Sequence, residues 1–159
     1  MSHYRREVGG NNMQTTTPVT ISEAEWEIMR VVWANVSATS REVIDILGEK
    51  MGWKESTIKT LIGRLVDKEA LKTQKDGRKF IYTANLSETD TVKSYSEDIL
   101  SRVCNKHNGL VISHFIEDAE LSQLDIEELI QLLEAKKANA PEVVPCHCVP
   151  GQCECHLVG

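Results

Sequence analysis

No apolar run in this 159-residue chain is long enough to span a bilayer, and no signal peptide opens it. The expectation is a cytoplasmic protein without a membrane partner. An excess of positive charge is also missing. Eighteen Lys and Arg stand against 24 Asp and Glu, a net charge of −6, which argues against a uniformly basic nucleic-acid binder. There is no phosphate-binding loop and no nucleophile elbow, so no catalytic constellation suggests an enzyme. Cysteine is nearly absent as well: before position 146 there is only Cys104. It falls within a helical pattern and reads most simply as a small buried hydrophobe.

The other four cysteines, Cys146, Cys148, Cys153 and Cys155, fall within ten residues as two Cys-x-Cys pairs. Pro150-Gly151 lies between the pairs and favours a turn that brings them face to face. In a reducing compartment such a cluster is a metal site before it is a pair of disulfides. Soft thiolates select zinc, copper(I) or iron–sulfur centres. Structural zinc sites more often use Cys-x2–4-Cys loops, and the tighter Cys-x-Cys also suits thiolates that bridge two metals. Four thiolates with one Zn(II) or with two Cu(I) carry the same formal charge, so a metal-specific signal must come from geometry. Four sulfurs also close the coordination shell, leaving no open position for hydrolysis. His147 and His156 are plausible spectators, and His107 and His114 read as structural.

The overall acidity hides an asymmetry. Residues 54–83 hold eight basic and four acidic side chains, whereas residues 84–159 hold five basic and thirteen acidic ones. A basic module for a polyanion therefore precedes an acidic module with another task.

Residues 1–20 are polar and aperiodic and read as a disordered arm. Ser22-x-x-Glu25 and Thr39-x-x-Glu42 are capping boxes ahead of two short amphipathic helices, linked through Ser37-Ala38 and with Gly52 as the second helix's C-terminal cap. A third helix runs from about Lys54 to Ala70. It buries Ile58, Leu61, Ile62, Leu65 and Val66 and leaves Ser56, Thr57, Thr60, Gly63, Arg64 and Asp67 outside. That outer face is small and polar, suited to close approach by another surface, with Lys59 and Lys68 flanking it where phosphates would lie. Two strand-like runs around Asp76-Gly77 follow, with Lys75, Arg78 and Lys79 at the tip and Phe80 and Tyr82 on a face that can pack on the helices. Three helices and a basic hairpin are the order of a winged helix-turn-helix, whose third helix enters the major groove while the wing touches the backbone.

Beyond Leu86 the pattern is helical. Val92, Tyr95, Ile99, Leu100 and Val103 mark one helix ending near Asn108-Gly109, Leu110 to Ile116 a second, and Ser122-x-x-Asp125 opens a third with Leu129 and Leu133. These helices are too few and too short for a core of their own, and a second copy of the chain is the simplest cover. Val92, Tyr95, Ile99, Leu110, Phe115, Leu129 and Leu133 are the expected dimerisation residues. The fold class is thus mainly α, in five parts: an arm (1–20), a winged helix-turn-helix (21–85), a helical dimerisation region (88–137), a linker (138–145) that carries the cysteines away from the helices, and the metal-binding tail (146–156).

Residues 21–33, Ile-Ser-Glu-Ala-Glu-Trp-Glu-Ile-Met-Arg-Val-Val-Trp, resemble the opening helix of the penicillinase-repressor family, and residues 56–68 resemble its recognition helix. With the cysteine tail, the chain resembles the copper-responsive, CopY-type branch of that family. The resemblance implies a homodimer bound to an inverted-repeat operator of a copper-homeostasis operon. It further implies repression by the zinc form, and release when copper(I), delivered by a copper chaperone, displaces zinc. On that basis Thr57, Thr60 and Arg64 are expected at base edges, and Ser56, Lys59, Lys75, Arg78 and Lys79 at phosphates. Two rival readings are a proteolysis-controlled β-lactam-resistance repressor and a metallothionein-like metal buffer.

Overall fold

The computed structural model describes residues 19–156. The expectation of a disordered arm over residues 1–20 falls almost wholly outside them. The chain forms two compact units, one ending at Thr91 and the other beginning at Val92.

In the first unit α1 (Glu23–Asn35) and α2 (Ser40–Met51) each start at the expected capping box, with Ser22 and Thr39 accepting from Glu25 N and Glu42 N. Gly52 closes α2 in the left-handed conformation, φ 65°. Helix α3 (Glu55–Asp67) follows, then a hairpin of β2 (Leu71–Asp76) and β3 (Lys79–Ala84). Ile28, Met29 and Val32 of α1, Val43 and Leu47 of α2, and Ile58, Leu61, Ile62 and Leu65 of α3 form one buried core with Ala70 and Leu71. Trp26 and Trp33 meet edge to face at 5.6 Å, and Trp33 Nε1 donates to Leu86 O at 2.8 Å, fixing the exit of the hairpin to α1. This is a winged helix-turn-helix.

Several details depart from the sequence reading. Ser37-Ala38 is more than a link: Ser37–Thr39 forms β1, antiparallel to β3 with Ala38 opposite Tyr82, in a sheet of order β1-β3-β2. The hairpin loop is Gly77-Arg78 rather than Asp76-Gly77, because Asp76 already pairs with Lys79 and the loop's first residue takes φ 61°. Phe80 is exposed where packing was expected, whereas Tyr82 packs against the core. Helix α3 ends earlier than Ala70, and Glu69 turns the chain with φ 61°.

Lys68 is also reassigned. Its ammonium donates to the Glu25 carboxylate at 2.6 Å and to Thr20 O at 2.8 Å, so it clamps the end of α3 to the start of α1 rather than waiting for a phosphate.

The division between the units falls inside α4 (Glu88–Ser101). The second unit continues with a 3-10 turn (Asn105–His107), α5 (Asn108–Asp118) and α6 (Gln123–Lys137), the last opened by the expected Ser122/Asp125 capping box. Asn108-Gly109 therefore begins a helix where the sequence reading ended one. Among the described residues of this unit only Cys104 is buried. In α6 every residue except Leu129 is exposed. A 15-residue helix with no covering surface is marginal in water. No helix among the described residues is long and apolar enough to cross a membrane.

Candidate nucleic-acid interface and metal centre

In the first unit α3 turns its four buried residues to the core and exposes Ser56, Thr57, Lys59, Thr60 and Arg64. Thr60 Oγ1 donates to Ser56 O at 2.9 Å, which folds its hydroxyl onto the helix. Lys59 pairs with Glu55 one turn back, and that pairing holds the Glu55 carboxyl below the usual carboxylate range. Arg64 forms no ion pair among the described residues. Beside it a Cβ added to Gly63 would meet nothing within 4 Å, so the missing side chain answers no internal crowding. On the wing, Lys75, Arg78 and Lys79 are all exposed around the Gly77-Arg78 loop. Lys75 and Arg78 are likewise free of ion pairs among the described residues. Lys79 adds a weak pull that helps lower the Glu42 carboxyl, after the hydrogen bonds from Thr39.

In the second unit the tail turns where expected. Gln152 N donates to Val149 O at 3.1 Å around Pro150-Gly151, with Gly151 at φ 91°. A type II turn requires proline-compatible geometry and then a left-handed residue, and this order supplies both. The sulfurs of Cys146 and Cys153 come to 3.3 Å. The tail does not swing clear of the helices, however. Cys104 Sγ lies 3.6 Å from Cys146 Sγ and 3.5 Å from Cys155 Sγ. Four sulfurs lie within 4.8 Å of one another, and they belong to Cys104, Cys146, Cys148 and Cys153. Cys155 lies beside this group, against Cys104 and Cys153. All five cysteines are free thiols.

The donor set fits a thiophilic ion. A tetrahedral Zn–S bond of about 2.3 Å places sulfurs roughly 3.8 Å apart, within a few tenths of an ångström of the 3.3–3.6 Å found here. The Cys148 N–H donates to Cys146 Sγ at 3.4 Å, and this bond, with one from Cys153, pushes the Cys146 thiol down to about 6. Its neighbours then act as donors to it and to one another. Cys148 is pushed up to about 12, mainly by Cys146, and Cys155 to about 12, mainly by Cys104. One thiolate is thus formed readily, while Cys148 and Cys155 are held as thiols in the absence of a cation. His147 is exposed, and neither His107 nor His114 joins the cluster. The side chain of His156 lies outside the description.

Sequence reasoning passed over Cys104 because helical periodicity runs through Val103. The break after Ser101, which gives Cys104 an extended backbone at φ −59° and ψ 135°, leaves no mark in that pattern.

A winged helix with a small polar recognition face and unpaired basic side chains defines a DNA-binding protein. Residues 21–135 match the penicillinase repressor family, and the chain belongs to it. It is accordingly a DNA-binding transcriptional repressor and not an enzyme. An uncharacterized 16.5 kDa protein of Latilactobacillus sakei is 46% identical over 135 residues, covering 85% of this chain and 92% of that one. A penicillinase repressor of Bacillus licheniformis is 38% identical over 122 residues, 77% of this chain and 95% of its own. Among solved structures, the monomeric form of BlaI from Bacillus licheniformis in complex with the blaP half-operator is 42% identical. It spans 46% of this chain and 90% of that one, with a TM-score of 0.42.

Proposed function

We propose that this repressor is switched by metal at its thiol cluster: it binds an inverted-repeat operator as a zinc-loaded homodimer and releases it when copper(I), handed over by a copper chaperone, replaces zinc. The regulated genes would then be those of copper homeostasis. The observation that carries this reading is the cluster itself, with sulfurs as close as 3.3 Å on a chain whose other unit is a winged helix. Cytosolic thiols at such spacing serve metal binding more often than packing.

Parts of the chain take the following roles. Residues 21–85 bind DNA, with Thr57, Thr60 and Arg64 at base edges and Ser56, Lys59, Lys75, Arg78 and Lys79 at phosphates. Residues 88–137 pair with a second copy through Val92, Tyr95, Ile99, Leu110, Phe115, Leu129 and Leu133. Of these, Leu110, Phe115 and Leu133 are all more than half exposed in the single chain, as a surface awaiting cover would be. Residues 138–145 connect, and residues 146–156 hold the metal. Coupling of metal state to DNA affinity of ~1–3 kcal/mol, roughly 5–150-fold, is the usual scale for such switches.

The test is one titration of copper(I) into zinc-loaded protein on operator DNA, following zinc release and DNA release together. Coincident release supports the reading. Retention of DNA through complete loss of zinc refutes it. Release by a β-lactam-triggered protease instead would support the antibiotic-resistance alternative, and the absence of salt-dependent operator binding would support a metal buffer.

A further inference from the structure

We propose that Cys104 is itself a ligand of the metal centre, so that a bound ion staples the tail to the chain break between α4 and α5. This rests on the reading of the tail as a metal site and adds a ligand that the Cys-x-Cys pattern does not contain.

Three observations converge on Cys104. Its sulfur is the shared neighbour of the two Cys-x-Cys pairs, 3.6 Å from Cys146 and 3.5 Å from Cys155. It belongs to the set of four mutually close sulfurs, from which Cys155 is left out. Its backbone is held in place, because Cys104 O accepts from His107 N at 2.8 Å as the 3-10 turn begins. The surroundings agree: Val103, Cys104 and Asn105 line one cavity together with His147, Cys148 and Gln152 of the tail. Three of these four sulfurs therefore ride on a tail behind a proline-bracketed linker, while the fourth, that of Cys104, is fixed to the helical framework.

The consequence is topological. Metal held by Cys104 and Cys146 closes a loop between positions 42 residues apart, and that loop contains the whole of α5 and α6. These two helices carry Leu110, Phe115 and Leu133, the exposed residues assigned to pairing. A change of ion at the cluster then alters the constraint on the pairing helices directly, with no separate relay. A tail that bound its ion through the four C-terminal cysteines alone would leave those helices unconstrained.

The experiment uses the full-length protein loaded with cadmium-113 as a spectroscopic substitute for zinc. Correlation of the metal with cysteine β-protons identifies each ligating residue. Cross-peaks from Cys104 together with tail cysteines are expected. Tail cross-peaks without Cys104 overturn the proposal and leave the tail as a metal site, whereas no cysteine cross-peak at all overturns both. Cys104→Ser supplies an independent arm. With helicity and thermal unfolding of the metal-free protein retained, the variant should lose the metal-dependent protection of residues 138–145 from proteolysis. A Cys104→Ser protein that keeps both that protection and wild-type zinc affinity overturns the assignment.

Discussion

Replacing Lys68 by methionine separates two functions that one lysine at the end of a recognition helix can serve. In the structure its ammonium sits 2.6 Å from a Glu25 carboxylate whose side chain is only 3% exposed, while Lys68 itself is 36% exposed. An exposed ion pair contributes about 0.2–1 kcal/mol, and breaking a fully buried one costs about 3–5 kcal/mol. With one partner buried and the other partly solvated, the loss falls between, at about 2 kcal/mol. Glu25 also accepts from Ser22 N at 3.3 Å, which does not neutralise it. For a domain of this size the melting temperature drops by roughly 8–16 °C. Urea unfolding followed by tryptophan fluorescence is a selective assay, because Trp26, Trp33 and Trp53 all lie in the DNA-binding unit. A Glu25→Met, Lys68→Met double variant should recover much of the loss, since the buried charge then disappears with its partner. A Lys68→Met protein that loses less than about 0.5 kcal/mol but binds operator more weakly refutes the clamp and restores Lys68 to the phosphates.

Other perturbations address the sites. In metal-free protein at neutral pH, Cys146 should be the first thiol alkylated by iodoacetamide, since its thiolate persists down to pH about 6. Below that pH its rate should fall, and Cys148 and Cys155, held up to about 12, should react slowly throughout; equal rates across the tail by peptide mapping would contradict this. Phe115→Asp or Leu133→Asp should give a monomer by sedimentation where the parent is a dimer, and unchanged sedimentation would move the interface elsewhere. Arg64→Ala should cost ~1–3 kcal/mol of operator affinity and relax one operator position, which a constant ratio of operator to scrambled-DNA binding would disprove.

Local chemistry was legible in the sequence and distant pairing was not. The capping boxes at Ser22, Thr39 and Ser122 each depend on residues three apart, and all three formed. The buried face of α3 followed from helical periodicity for the same reason. β1 escaped because three residues, Ser37–Thr39, are too few to show alternation and acquire meaning only beside β3. Lys68 looked like a free cation because its partner lies 43 positions away. Cys104 looked like core because the sulfurs that surround it begin 42 positions later. In each case the side chain's type was plain and its neighbour was not.

Gly63 shows what this fold forgoes in the absence of DNA. Glycine inside a helix costs roughly 0.8–1.0 kcal/mol relative to alanine, and here a methyl group would meet nothing within 4 Å. Selection for thermal stability alone would therefore install alanine at this position. Gly63→Ala should melt higher than the parent and hold its operator less tightly, a divergence visible by running both assays on one preparation. The recognition helix would then be an element kept below its attainable stability by the surface it must meet.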